Sequence, residues 1–220
     1  MKCLVFALAA LGALACSSSS GAPQTSSVTG TFAGQALDVA DTAGFQGETG
    51  PSTYLAVVLS SVTGVCSVAQ QHATTANSDS LALLIQNLGV ASAMPLAAGT
   101  YTITNGDPAV TGKDSMTGAT SGYLVVSASY SSYDASCSPT LATTASGATS
   151  GTITIGTLSS SDVSGSFDLR FPSGDHLSGH FSSPLCSAPE LAFAPPTNAN
   201  VGGAASVPAE GAQTVSTCLP

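Results

Sequence analysis

The chain has no tryptophan, and only three of its 220 residues are lysine or arginine, against twelve aspartates and glutamates. So few cations cannot neutralise a phosphate backbone, so nucleic-acid binding is excluded on electrostatic grounds, and anionic lipid repels the chain for the same reason. Without tryptophan, sugar stacking would fall to five tyrosines. Tyr123, Tyr130 and Tyr133 cluster around one expected strand, and Tyr54 and Tyr101 begin two others. Charged residues make up 7% of the chain, so Ser, Thr and Gly must supply its polar surface. Helical periodicity is nearly absent. No Gly-x-Ser-x-Gly elbow occurs, which removes the α/β-hydrolase pattern. Dense Asp spacing of the calcium-loop kind is also missing. Asp107, Asp114 and Asp175 stand singly in Gly-containing loops, and Asp41 and Glu48 flank Gly44 to Gly50, so all five read as turn residues.

What is present starts at the first residue. Lys2, an apolar run from Leu4 to Leu14 and small residues at Ala13 and Ala15 form a secretory signal over 1–15, too short for a finished transmembrane helix. Ala13-x-Ala15 fits an ordinary signal-peptidase site cutting before Cys16. The ending Ala13-Leu14-Ala15-Cys16 also resembles the lipobox of bacterial lipoproteins, although those usually carry Leu where Ala13 stands. The resemblance implies that the Cys16 thiol takes a diacylglycerol and that Cys16 becomes the first mature residue. Contact with the membrane would then come from acyl chains; one holds weakly and two or three hold firmly.

Cysteine arithmetic favours lipidation. Beyond the signal lie Cys16, Cys66, Cys137, Cys186 and Cys218, an odd set. Lipidation of Cys16 leaves four, and four in an exported chain read as two disulfides. The signal ending, with the Ser/Thr-rich texture and the expected disulfides, resembles the small β lipoproteins of Gram-negative bacteria. Ser17, rather than Asp, after the cysteine fits sorting to the outer membrane or cell surface; the periplasm is the alternative.

Residues 16–27 read as the lipidated cysteine and a Ser-rich tether, of which residues 17–27 span at most about 36 Å. From 28 to 187, short alternating apolar groups bounded by Gly, Pro, Asn and Asp predict an all-β, antiparallel sandwich or small barrel. Nine strands are expected, meander-like, at 28–33, 36–44, 53–62, 80–88, 99–104, 122–132, 150–158, 162–171 and 175–183. Val65 to Ala76 is the one segment with helical character. Residues 188–220 turn rich in Pro, Ala and Gly and need Cys218 as a staple. Counting strands up and down places Cys66 and Cys186 at one end of the sheet and Cys137 at the other. This assigns Cys66 to Cys186 and Cys137 to Cys218.

The last hairpin has the best-determined register. Pro172-Ser173-Gly174 suits a three-residue loop, which faces Leu169 to Leu177, Phe167 to Gly179 and Gly165 to Phe181. Both strand glycines are then covered by a cross-strand phenylalanine. A one-residue slip would turn Phe167 and Leu169 away from Leu177 and Phe181. The pattern apolar, Ser or Thr, Gly, any, Phe at 28–32, 163–167 and 177–181 suggests that the first strand lies beside one of the last two.

The same register sets Asp168 diagonal to His176 and His180 on the opposite face. Two imidazoles and a carboxylate are a possible Zn²⁺ or other divalent-metal set with an open position. A solvated polar face is the plainer reading, and the adjacent Arg170 opposes a cation. His72 reads as an exposed loop histidine. No cofactor is expected. The leading expectation is a non-enzymatic, lipid-anchored domain with a binding or structural role at the cell envelope and an envelope protein or glycan as partner. The alternatives are a lipocalin-like carrier of a small ligand and a metal-dependent hydrolase using Asp168, His176 and His180.

Overall fold

Phe167 and Leu169 alternate with polar residues at a period of two, and so do Leu177 and Phe181, so each strand of this hairpin has one face to bury. They form β10 (Asp162–Arg170) and β11 (His176–Cys186), paired in the expected register: Leu169 opposite Leu177, Phe167 opposite Gly179 and Gly165 opposite Phe181. Gly174 closes the loop with a φ of 88°. The computed structural model describes residues 25–49, 52–89, 95–104, 109–113, 120–141, 146–187 and 217–220. The signal over 1–15, Cys16, Asp107, Asp114 and most of the 188–220 tail lie outside them.

The other strands are β1 (Ser27–Thr31), β2 (Asp41–Thr49), β3 (Ser52–Ser60), β4 (Thr74–Thr75), β5 (Ser78–Gly89), β6 (Gly99–Thr102), β7 (Ala109–Lys113), β8 (Thr120–Tyr133), β9 (Ser150–Leu158) and β12 (Cys218–Leu219), with α1 (Val65–Gln70) after β3. The main sheet runs β6-β9-β10-β11-β2-β3-β5-β8-β7, and β1 pairs with β11. Thr104 N–H donates to the Val126 carbonyl (3.0 Å) and Ala148 N–H to the Ala128 carbonyl (2.8 Å). These contacts bring the chain beside β6 and β9 back against β8. The result is a nearly closed, all-β sheet.

Three expectations need correction. The second strand starts at Asp41, because Phe32 and Gln35 exchange backbone hydrogen bonds (2.8 and 2.9 Å) around Ala33 and Gly34, both at positive φ. That tight turn has the primed-turn pattern without the usual Asn-Gly sequence. Helix covers only Val65–Gln70, since Thr74 and Thr75 pair in parallel with Cys218 and Leu219. The meander is broken twice: β6 leaves it to pair with β9, and β11 meets β2 in parallel at Leu185–Gly44 and Cys186–Phe45. Strands β4, β7 and β12 were not expected; they are short.

Inside the sheet Leu55, Leu81, Leu83, Ile85, Val126, Ile153, Ile155, Leu169, Leu177 and Phe181 form one buried cluster. Phe32 plugs it, stacked on Tyr130 with ring centroids 4.7 Å apart and meeting Phe171 edge-on at 4.8 Å. A second, smaller cluster lies on the outer face, where Val65 of α1 packs on Ala43, Phe45 and Ala56. Asp41 fixes that helix by accepting the N–H groups of Gly64 (2.8 Å) and Val65 (3.0 Å).

Cys66 is bonded to Cys186 and Cys137 to Cys218, the two expected pairs. The sheet-end argument behind them does not hold. Cys137 follows β8, whose last residue Tyr133 faces Ser78 at the start of β5. It therefore sits at the same end as α1 and Cys66.

Candidate functional site

The β10–β11 register and the pairing of β11 with β1 build the surface that carries the polar candidates. Ser27 lies opposite His180, Thr29 opposite Ser178 and Thr31 opposite His176. The expected neighbourhood of the first strand is therefore found, with β11. On the far side, Ser166 faces Thr154, Asp168 faces Thr152 and Arg170 faces Ser150, and Thr100 and Thr102 of β6 face Thr154 and Thr152. The inward residues between them, Ile153, Phe167, Leu169, Leu177 and Phe181, are buried, which turns the polar positions outward.

The three candidate metal ligands do not converge. His176 Nε2 lies 3.0 Å from Asp168 Oδ2, with both side chains substantially exposed. His180 Nδ1 instead lies 3.1 Å from Ser27 Oγ. The diagonal placement of Asp168 holds, but its carboxylate commits to one imidazole and β1 engages the other. Among the described residues no group of three His, Cys, Asp or Glu is arranged to hold a metal ion. Ser27 was missed by residue-type reasoning. The Ser/Thr-Gly-x-Phe repeat suggested only that the first strand lies beside one of the last two; the β1–β11 register is what sets Ser27 against His180.

Of the five carboxylates read as turn residues, Asp41 and Glu48 instead lie in strand β2, opposite Ser60 and Thr53 of β3, because the Gly44–Gly47 stretch pairs with β3 rather than turning. Asp175 does sit in a turn. Asp175 accepts the Ser173 hydroxyl (2.6 Å) and the Ala33 N–H (3.1 Å), linking the β10–β11 loop to the Ala33-Gly34 turn. The Ser173 hydrogen bond, then that from Ala33, holds this carboxyl below its ordinary value. Asp134 is lowered likewise by the Ser136 hydroxyl and by the Ser138 and Ser136 N–H groups. Asp41 caps α1 as described. His72 is exposed at a φ of 50° just after that helix.

The tyrosines do not assemble a sugar platform. Tyr130 is buried against Phe32, and burial, then the charge of the nearby Asp79, push the phenol up to about 12. Tyr54 is buried over Gly47, and burial raises its phenol as well. Tyr101 packs on the core and donates its hydroxyl to the Ala97 carbonyl (2.6 Å). Tyr123 and Tyr133 are half-buried at opposite ends of β8.

Comparison with known proteins places nothing beside this arrangement: no family model matches the chain, and neither a curated protein nor a solved structure is significantly similar.

Proposed function

We propose that the chain is an exported, lipid-anchored, non-enzymatic β domain with a binding or structural role at the cell envelope. The observation that carries this reading is the disulfide pattern. Cys66–Cys186 and Cys137–Cys218 use every cysteine after residue 16, so Cys16 has no disulfide partner within the domain. Two disulfides point to an oxidising, extracytoplasmic compartment. Within that compartment, a lipobox-like ending and a cysteine outside the domain pairs support acylation of Cys16 and, through Ser17, outer-membrane or surface placement.

The polar surface supports binding rather than catalysis. Its hydrogen bonds join separate pairs, among them Asp168 with His176, His180 with Ser27 and Thr100 with Thr154, instead of being focused on one reacting atom. A carrier of the lipocalin kind needs open volume inside the sheet; here Phe32, Leu83, Ile85, Phe167 and Phe181 occupy the interior.

Intact-mass analysis of the native protein tests the reading. The expected result is a chain beginning at Cys16, heavier by acyl groups on that residue, with four further cysteines oxidised. A mature mass without added lipid would overturn it. In the Cys16→Ser variant the protein should leave the membrane fraction.

A further inference from the structure

The two disulfides close the chain in different surroundings. Cys66, half-buried on α1, packs against the cluster of Ala43, Phe45, Ala56 and Val65, and Cys186 ends β11 opposite Phe45 of β2. Other contacts hold both elements: Asp41 caps the helix, and β11 pairs with β1, β10 and β2. Were this bond to open, the two sulfurs would remain opposite each other. So high an effective concentration favours the disulfide.

In Cys137–Cys218 the two sides differ. Cys137 is half-buried in a turn organised by Asp134, whose Oδ1 accepts the N–H groups of Ser136 (2.8 Å) and Ser138 (3.0 Å). The Asp134 carbonyl accepts the Cys137 N–H (3.0 Å), and Cys137 stands at a φ of 59°. None of these bonds involves Cys218, so this side stays in place whether or not the disulfide is closed. Cys218 is exposed and lies in β12.

Residues 217–220 rest on β4 through the Cys218–Thr74 and Leu219–Thr75 pairings, in which Thr74 N–H donates to the Thr217 carbonyl (3.0 Å) and Ala76 N–H to the Leu219 carbonyl (2.8 Å). Two such bonds contribute about 1 kcal/mol each, and the half-buried Leu219 side chain adds about as much. Ordering four residues costs about 1–2 kcal/mol apiece. The covalent link therefore decides whether β12 stays.

We infer that Cys137–Cys218 is a redox-released latch, opened by a dithiol reductant while Cys66–Cys186 and the sheet remain intact. A thiolate of the dithiol attacks the exposed Cys218 sulfur, forming a mixed disulfide and expelling the Cys137 thiolate, which takes up a proton. The second thiol of the reductant then displaces Cys218 as its thiol, and the reductant leaves as a disulfide, having delivered two electrons. Cys137 Sγ lies 3.5 Å from the Thr74 carbonyl, which the new thiol can use as an acceptor. Departure of β12 uncovers the Thr74 and Ala76 N–H groups and turns the closed loop between Cys186 and Cys218 into a free end. The device goes beyond the envelope reading and does not depend on acylation of Cys16.

Graded dithiothreitol on the full mature protein tests it, with thiols trapped by alkylation and mapped by mass spectrometry. Cys137 and Cys218 should become alkylated at a dithiol concentration roughly tenfold or more below that needed for Cys66 and Cys186. In the half-reduced protein, before alkylation, the Thr74 and Ala76 amides should exchange with solvent faster, while those of Phe167 and Leu177 keep their protection. Opening of both pairs together, opening of Cys66–Cys186 first, or Thr74 and Ala76 amides that stay protected after Cys137–Cys218 is reduced would each overturn the inference.

Discussion

Phe181 lies across Gly165, with its ring tip 2.7 Å from where a β-carbon on that glycine would stand. On the neighbouring strand the relation is mirrored, with Phe167 at 2.9 Å from the same point on Gly179. Each glycine also faces a carbonyl of the next strand, Thr154 for one and Ser27 for the other. The flexible ring can yield, but the paired backbone cannot.

Gly165→Ala should therefore destabilise the domain by about 1–3 kcal/mol through overpacking. Urea unfolding followed by fluorescence would measure it. An unchanged midpoint would mean that β9 and β10 can part without loss. Gly179→Ala should behave alike and loosen β1 as well.

Asp41 gives a second, local prediction. Its carboxylate accepts two helix N-terminal N–H groups, so Asp41→Ala should cost about 1 kcal/mol. The Gly64 and Val65 amides should exchange with solvent faster, while Phe167 and Leu177 keep their protection. Uniform loss of protection across the sheet would contradict a role limited to the helix.

The two disulfides should separate in their effects. In the chain-entropy picture each contributes about 4–5 kcal/mol, given sequence separations of 120 and 81. Cys137→Ser/Cys218→Ser should free the C-terminal end, which β12 otherwise holds by two parallel residue pairs on β4. Limited proteolysis should then trim towards residue 187 and leave the sheet intact. Cys66→Ser/Cys186→Ser should instead expose the Ala43–Phe45–Ala56 patch and raise binding of a hydrophobic dye.

Stability at alkaline pH should depend on Tyr130. Its phenol is pushed up to about 12 against an unfolded value near 10, so the fold favours the protonated form. That contribution is complete below pH 10 and disappears as pH rises from 10 to 12. Tyr130→Phe should flatten the stability profile in this window. Asp175 works in the opposite direction. Its lowered pKa contributes above the unfolded value of 3.8 and is lost as pH falls through the folded value, a loss that Asp175→Asn should remove.

Local patterning made the strands legible, because a period of two is written in residues such as Val163, Phe167, Leu169, Leu177 and Phe181. The β10–β11 register was legible too, since a Pro-x-Gly loop and a one-sided core admit a single alignment. Long-range order was not. Nothing in Gly99–Thr102 says that it pairs with β9 rather than following β5, and the Leu185–Gly44 contact is visible only as close approach. Gly44 has no room for a side chain: a β-carbon there would stand 2.8 Å from both Leu185 and Val163. The polar face was half legible. Asp168, His176 and His180 were correctly set on one side, but the direction each side chain takes depends on β1, whose register no local pattern fixed.

The parallel seam between β2 and β11 has a consequence for how the domain comes into being. It joins Gly44 to Leu185 and Phe45 to Cys186, residues near opposite ends of the sheet-forming chain. A nascent chain that stops short of β11 lacks Leu177 and Phe181 from its core, β1's partner strand, and the cysteine that fastens α1. Pairing across so long a loop is slow and cannot begin early. The domain is thus built to stay open until nearly all of it has emerged, and then to shut around its last long strand.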